Sequence, residues 1–395
     1  MASIRNFAAR SASEPSYLEK IRSHKLAILY RTALVIVLIA AGVALAYFSW
    51  RDKVFHEADV VKEAAISEAE TAEFLAFGEQ VVQYSKDGIR CINADGEVLW
   101  NQTYEMQAPI IRTCKNIVAV GDYNGNLIYV AGATGPIGTI DTNLPIRGFC
   151  VASQGVVAVI LDDRDDAWIY LYDAQGTTLA YFKTTMADSG YPLAVSISPS
   201  GELVGVSFLY AKDGKIRSSI AFYNFGSVGQ NAIDNYVSGY DYTGVVAPFV
   251  QFLGDSSVCA VSNDRIMFYA GAQIPTSRAE HLMGGEEITG VYARDNHVAL
   301  LFHNSTEKGA YRLLIYNDGG DLLTTLYFDQ EFEDVLMTSD RVIIYSAEAW
   351  LIYDLNGNEK YAGAFSQPVR MMVPTAVRNR FLAVTNSSIQ TLELR

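Results

Sequence analysis

From Glu73 onward the chain repeats one phrase: a run apolar at almost every position, a tight turn, a second run closing on an aromatic, then an Asp/Asn/Gly turn. Copies include VVQYSKDGIRCINADG, NIVAVGDYNGNLIYVAGATG, VVAVILDDRDDAWIYLYDAQG and RVIIYSAEAWLIYDLNG. Eight copies align on Ile92, Ala131, Tyr172, Tyr223, Tyr269, Tyr316, Tyr353 and Leu392, at gaps of 39, 41, 51, 46, 47, 37 and 39 residues. Four-stranded propeller blades recur at roughly 40–50 residues. A coiled solenoid would repeat at about half that spacing, and a sandwich would not repeat. Runs such as GVVAVIL (155–161) and RVIIY (341–345) lack polar alternation, as strands do when both sheet faces are covered. The spacing therefore predicts an all-β, eight-bladed β-propeller over 73–395, with seven blades and one distorted unit as the alternative. Asp87-Gly88, Asn124-Gly125 and Asp213-Gly214 suit two-residue type I′ turns. The last copy ends one outer strand short, so Glu73–Phe77 (EFLAF) is expected to complete that blade and remove an open edge.

The N-terminal residues follow a different rule. Thr32 to Trp50 is a run of nineteen uncharged residues, close to the ~20 needed to cross a bilayer. Residues 1–31 carry six Lys/Arg against Glu14 and Glu19, a net +4; because the whole chain is −14, residues 51–395 hold −18. Basic residues stay on the cytoplasmic side. The expectation is a single-pass membrane protein: a cytoplasmic tail at 1–31, a signal-anchor helix at 32–50, a stalk at 51–72 and an extracytoplasmic propeller at 73–395. Asp52–Glu73 is rich in Ala, Glu and Lys without Gly or Pro, so the stalk is expected to be a short helix. The rival reading is a cleaved signal peptide ending at Ala44-Leu45-Ala46; the long basic region and long apolar run argue against it.

Several stretches carry resemblances. DGEVLWN (Asp95–Asn101) resembles the tryptophan-bearing repeat of quinoprotein-like propellers, and SISPSGELVGVSF (Ser196–Phe208) resembles a turn of WD40-like and TolB-like blades. LWNQTYEMQAPI (Leu99–Ile110), LPIRGFCVASQGVVAVILDD (Leu144–Asp163), GYPLAVSISPSGELVGVSF and AFYNFGSVGQNAID (Ala221–Asp234) resemble an uncharacterised family of Gram-positive bacterial proteins, a domain of unknown function built as an N-terminal anchor and a propeller. That resemblance implies a fold and an envelope location, with no activity to transfer.

Candidate chemistry is sparse. There is no HExxH, CxxC pair, phosphate-binding glycine loop or GxSxG elbow, so no catalytic, cofactor-binding or metal residue is assigned and no cofactor is expected. His297 and His303 share a strand face, but about 20 Å apart, too far for one metal. Asp162, Asp163, Asp165 and Asp166 crowd a turn around Arg164; Ca²⁺ takes oxygen ligands of this kind, while a solvated acidic turn is the plainer reading. Cys91, Cys114, Cys150 and Cys259 are too few for a disulfide scaffold and read as small buried residues, a Cys91–Cys114 bridge staying open. Trp100, Trp168 and Trp350 fall on repeat strands, where they should pack between blades.

Tyrosines in loops are better placed for recognition, among them Tyr191 and those of the insertion NAIDNYVSGYDYTG (231–244). Its mixture of Tyr, Asp, Asn, Ser and Gly suits adaptable contact, so Tyr236, Tyr240, Asp241 and Tyr242 form the candidate binding loop. The −18 body excludes nucleic acid and other polyanions as partners. The reading is a non-enzymatic envelope scaffold or binding protein for a protein or glycan partner. A quinone-dependent or hydrolytic propeller enzyme and a transmembrane sensor are the alternatives.

Overall fold

The computed structural model describes residues 17–51, 53–67, 72–164, 166–185, 189–294 and 296–395; within the first of these, side chains are described at 25–26, 28–43 and 45. It divides into two compact units, Met1–Val54 and Phe55–Arg395.

The first unit holds one helix, Tyr17–Arg51. Its apolar side chains, Leu34, Ile36, Ile39 and Val43 among them, are exposed. The span expected at Thr32–Trp50 falls in this helix, but the side chains of Ala44 and of residues 46–50 lie outside the described residues. Among the described residues, no helix is long and apolar enough to cross a membrane. Residues 1–16 of the expected tail also lie outside them.

The second unit is an eight-bladed β-propeller of eight four-stranded antiparallel sheets. Blades 1 to 7 span residues 73–103, 109–141, 146–185, 191–243, 249–282, 290–328 and 334–364. Blade 8 takes three strands from 371–394 and its outer strand from Ala58–Ala65. Eight apolar clusters lie between successive blades, and one joins Val373, Leu382, Val384 and Ile389 of blade 8 to Val81 and Ile92 of blade 1. The ring is closed.

The repeat seen in the sequence is a repeat of geometry. Each aligned residue sits near the end of its blade's third strand, and seven of the eight face a valine on the second, as Val157 faces Tyr172 and Val258 faces Tyr269. The exception is Leu392, opposite Phe381. At each such position the outer strand shifts register, for example between Leu171 and Tyr172 and between Ile352 and Tyr353. A bulge there bends the strand and increases the local twist. The turn that follows has its own recurring device. Asn93, Asp173, Asn317 and Asp354 each accept two backbone N–H bonds at 2.8–3.0 Å from residues two and four positions on. Gly96, Gly176, Gly320 and Gly357 then take φ of 78–89°, which only glycine adopts cheaply.

Three expectations need correction. Glu73–Phe77 is the innermost strand of blade 1, not the closing strand. The closing strand is Ala58–Ala65, antiparallel to Ser388–Leu394, within the stretch read as a helical stalk. Intrinsic propensity is a weak preference, and the unpaired edge of Ser388–Leu394 outweighs it by offering a full ladder of backbone partners. Glu63 reinforces the pairing: its carboxylate accepts from the Ser388 hydroxyl at 2.8 Å and the side-chain amides of Gln390 and Gln367 at 3.1 and 3.2 Å. Finally, only Asp213-Gly214 has the two positive φ values, 55° and 70°, of a two-residue type I′ turn. Asp87 ends the three-residue connection 85–87 and Gly88 opens the next strand, while Asn124-Gly125 sits in the four-residue connection 123–126.

Candidate functional site

The innermost strands surround a central channel. One cavity there, about 890 Å³, is lined by Lys115, Asp255, Arg294, Glu333, Asp334 and Arg370 beside Phe74 and Met372. A second, about 600 Å³, carries Arg112, Cys114, Cys150 and Gln251. Burial pushes the Asp334 carboxyl up, against the opposing pull of the Val335 N–H and of Arg294. No histidine lines either cavity. Among the described residues no three His, Cys, Asp or Glu side chains group closely enough to hold a metal.

A different site lies on the rim, between blades 3 and 4. The second and third strands of blade 4, Leu203–Lys212 and Lys215–Asn224, run ten residues each, against five to seven in the other blades. They form a long hairpin, tipped by Asp213-Gly214. The chain then makes two short 3₁₀ turns, Gly229–Asn231 and Ile233–Asn235, before the outer strand Tyr236–Thr243. Asp234 and Asn235 take left-handed φ of 53° and 59°, a region these two residue types tolerate best after glycine. The side-chain amide of Asn235 donates to the Asn224 carbonyl at 3.1 Å, and Ile233 is left 88% exposed.

The bulge at Val237 decides what each tyrosine does. Tyr236 pairs with Tyr223, but Ser238 pairs with Phe222. Tyr236, Gly239 and Asp241 therefore share the face toward blade 3, while Ser238, Tyr240 and Tyr242 face blade 5. The Tyr240 hydroxyl accepts from the Ser277 N–H at 3.1 Å and donates to the Pro275 carbonyl at 3.3 Å. Tyr242 bonds the Tyr269 hydroxyl at 2.8 Å, with the Arg265 guanidinium 5.8 Å from its ring centre. These two tyrosines are packing between blades. The candidate residues thus lie on a strand instead of a loop, and they divide into two pairs.

On the blade 3 side the arrangement is open. Tyr236, 48% exposed, meets Tyr223 at 74° with 5.9 Å between ring centres, and Tyr223 stacks on Phe182 at 4.2 Å. Gly239 makes room for this, since a β-carbon there would collide with the Tyr236 hydroxyl. Phe182, Phe208 and Tyr223 floor a groove of about 680 Å³ walled by Lys183, Tyr210, Lys212, Asp234, Tyr236 and Asp241. The Tyr210 hydroxyl donates to Asp241 at 3.0 Å. Lys183 is engaged by Asp166 at 2.6 Å. Burial raises the Tyr223 and Tyr236 hydroxyls above the ordinary phenol range, and nearby Asp234 and Asp241 add to the shift. Reading the sequence missed Phe182, Phe208 and Tyr210; the unusual length of ELVGVSFLYAKDGKIRSSIAFYNFG was the available signal.

The remaining candidates are accounted for individually. Asp162 is held by Arg147, Asp163 accepts the Trp168 indole N–H at 3.3 Å and Asp166 takes Lys183, so these carboxylates do not converge; Asp165 lies outside the described residues. All four cysteines are free thiols. His297 and His303 stand at opposite ends of one strand. Tyr191 begins the innermost strand of blade 4, not a loop. Trp100 and Trp350 are buried between blades, and Trp168, half-buried beside Tyr181 at 5.9 Å, packs against the apolar cluster between blades 2 and 3.

Solved structures share the architecture. Sqt1 from Chaetomium thermophilum superposes with a TM-score of 0.55 at 11% identity, over 85% of this chain and 98% of that one. Sqt1 bound to the N-terminus of the ribosomal protein L10 gives 0.51 at 10% identity, over 87% and 97%. BamB from Moraxella catarrhalis gives 0.48 at 10% identity, over 85% and 100%. At these identities the likeness to the two Sqt1 structures is one of fold. Among curated proteins none matches the chain. The assignment comes from sequence: over residues 51–394 the chain matches, and so belongs to, the family of unknown function DUF5711.

Proposed function

We propose that this chain is a membrane-tethered, extracytoplasmic propeller that binds another protein and catalyses no reaction itself. The observation that carries the reading is the rim groove between blades 3 and 4. There the regular blade is extended by a hairpin, strained turns and an exposed isoleucine, none of which the ring needs to close. Local strain persists where surroundings enforce it and often marks function. Concave, partly aromatic surfaces with a few polar groups are the usual form of a binding site. The tether rests on the nineteen uncharged residues, the +4 tail against a −18 body and the solvent-facing apolar side chains of the N-terminal helix.

Photo-crosslinking from position 233 in intact cells tests the binding role, with position 331, in the connection after blade 6, as reference. A protein adduct at 233 absent at 331 is expected. Absence of any adduct at 233, with substrate turnover by the pure chain, would replace binding by catalysis. Protease added to intact cells should degrade the propeller; full protection would reverse the orientation.

A further inference from the structure

The groove also indicates what it binds, an inference that rests on the binding role above. The exposed Tyr236 ring stands as a wall at 74° to Tyr223 in the floor, and the negative face of an aromatic ring attracts cations. Beside them stand two carboxylates with spare capacity. Asp241 accepts only the Tyr210 hydroxyl, and Asp234 has no hydrogen-bond partner or ion pair among the described residues. Of the two lysines on the wall, Lys183 is neutralised by Asp166 and lies 5.8 Å from the Trp168 ring centre. Lys212, at the hairpin tip, is exposed. The uncommitted charge in the groove is therefore net negative, in a body of −18 whose field draws in basic partners. A volume of about 680 Å³ exceeds one side chain and admits a short segment.

We propose that the groove receives a lysine- or arginine-bearing segment of a partner protein, its cation set against Tyr236 with Asp234 and Asp241 as counter-charges. The test is fluorescence anisotropy of the purified full chain in detergent with a labelled hexalysine peptide at low salt, a hexaserine peptide and chitotetraose serving as competitors. D234N/D241N is structurally mild: asparagine tolerates the left-handed backbone at 234 and still accepts from Tyr210 at 241. Y236L removes the ring and Y236F keeps it. E307Q/E331Q removes the same charge from exposed positions on and after blade 6. D234N/D241N and Y236L should each weaken hexalysine about tenfold, with Y236F and E307Q/E331Q within about twofold of the parent. Equal weakening by E307Q/E331Q, no saturable hexalysine binding, or displacement by chitotetraose would overturn the proposal. If the adduct at position 233 survives in cells bearing D234N/D241N or Y236L, the cation reading fails while the binding role stands; if no adduct forms in the parent, both fail.

Discussion

Trp350 shows what a single buried side chain contributes here. It is 0% exposed, parallel to Phe365 at 5.5 Å and against Tyr361 and Phe381 at 4.7 and 5.2 Å, where blades 7 and 8 meet. Trp350→Ala leaves a cavity the surrounding strands cannot fill and should cost ~3–5 kcal/mol. Ile233→Ser at the exposed rim should stay within about 0.5 kcal/mol; urea unfolding of both variants checks the contrast. The thiols give a second expectation. Burial raises Cys91 to about 11 and Cys259 to about 12, so both are protonated through neutral pH, and it is the thiolate that reacts. Iodoacetamide at neutral pH should therefore leave both unmodified in native protein and alkylate them in denaturant, as read by peptide mass. Rapid native labelling would contradict their placement. Tryptophan packing was legible from strand position alone, because runs apolar on both faces leave few other places for a large ring. The division of labour between Tyr236 and Tyr242 was not. Their even spacing puts them on one face of a regular strand, and only the bulge at Val237 separates them.

The eight blades were legible because each is a local unit with its own signals, a largely apolar second strand and an aligned third-strand residue, joined in blades 1, 3, 6 and 7 by an Asx–Gly turn. The ring's closing strand was not legible, because Ala58–Ala65 is specified by a partner more than three hundred residues away and not by its own composition. This makes the strand a separable element. Ala64 pairs with Ile389, and Ala64→Pro would fix φ and remove an N–H within the ladder, at a cost of about 3 kcal/mol. The melting temperature should fall, and the freed edge of Ser388–Leu394 should promote association, measurable by light scattering. Acid should loosen the same strand. Hydrogen bonds from Ser388, Gln390 and Gln367 hold the Glu63 carboxyl below its ordinary value. Its contribution is therefore complete above the unfolded value of about 4.3 and is lost as pH falls through the folded one. Hydrogen exchange across 58–65 should accelerate in that acid window in the parent and show a smaller pH response in Glu63→Gln. An unchanged acid response in that variant would assign the loosening to other carboxylates.

Charge acts on the molecule as a whole. Twelve ion pairs occur among the described residues, and several bind cations to the acidic exterior. Arg112, Arg294 and Arg370, by contrast, line the channel without an ion pair among the described residues. The channel also carries Asp255, Glu333 and Asp334, the last of them acted on by Arg294, so the −18 excess lies mostly elsewhere on the body and repels itself. Salt has two opposed effects. It weakens the exposed ion pairs, each worth roughly 0–1 kcal/mol, and it screens the long-range repulsion beyond a Debye length of about 10 Å at 0.1 M. Exposed pairs sit at contact distance, where screening is weakest. The excess carboxylates are spread around a ring wider than the Debye length, where screening is strongest. Repulsion should therefore lose more than attraction, and the melting temperature should rise by a few degrees as sodium chloride increases from about 0.02 to 0.3 M. A fall over that range would mean that the exposed ion pairs, such as Lys62 with Asp95 and Arg395 with Asp59, dominate the electrostatics of the folded ring.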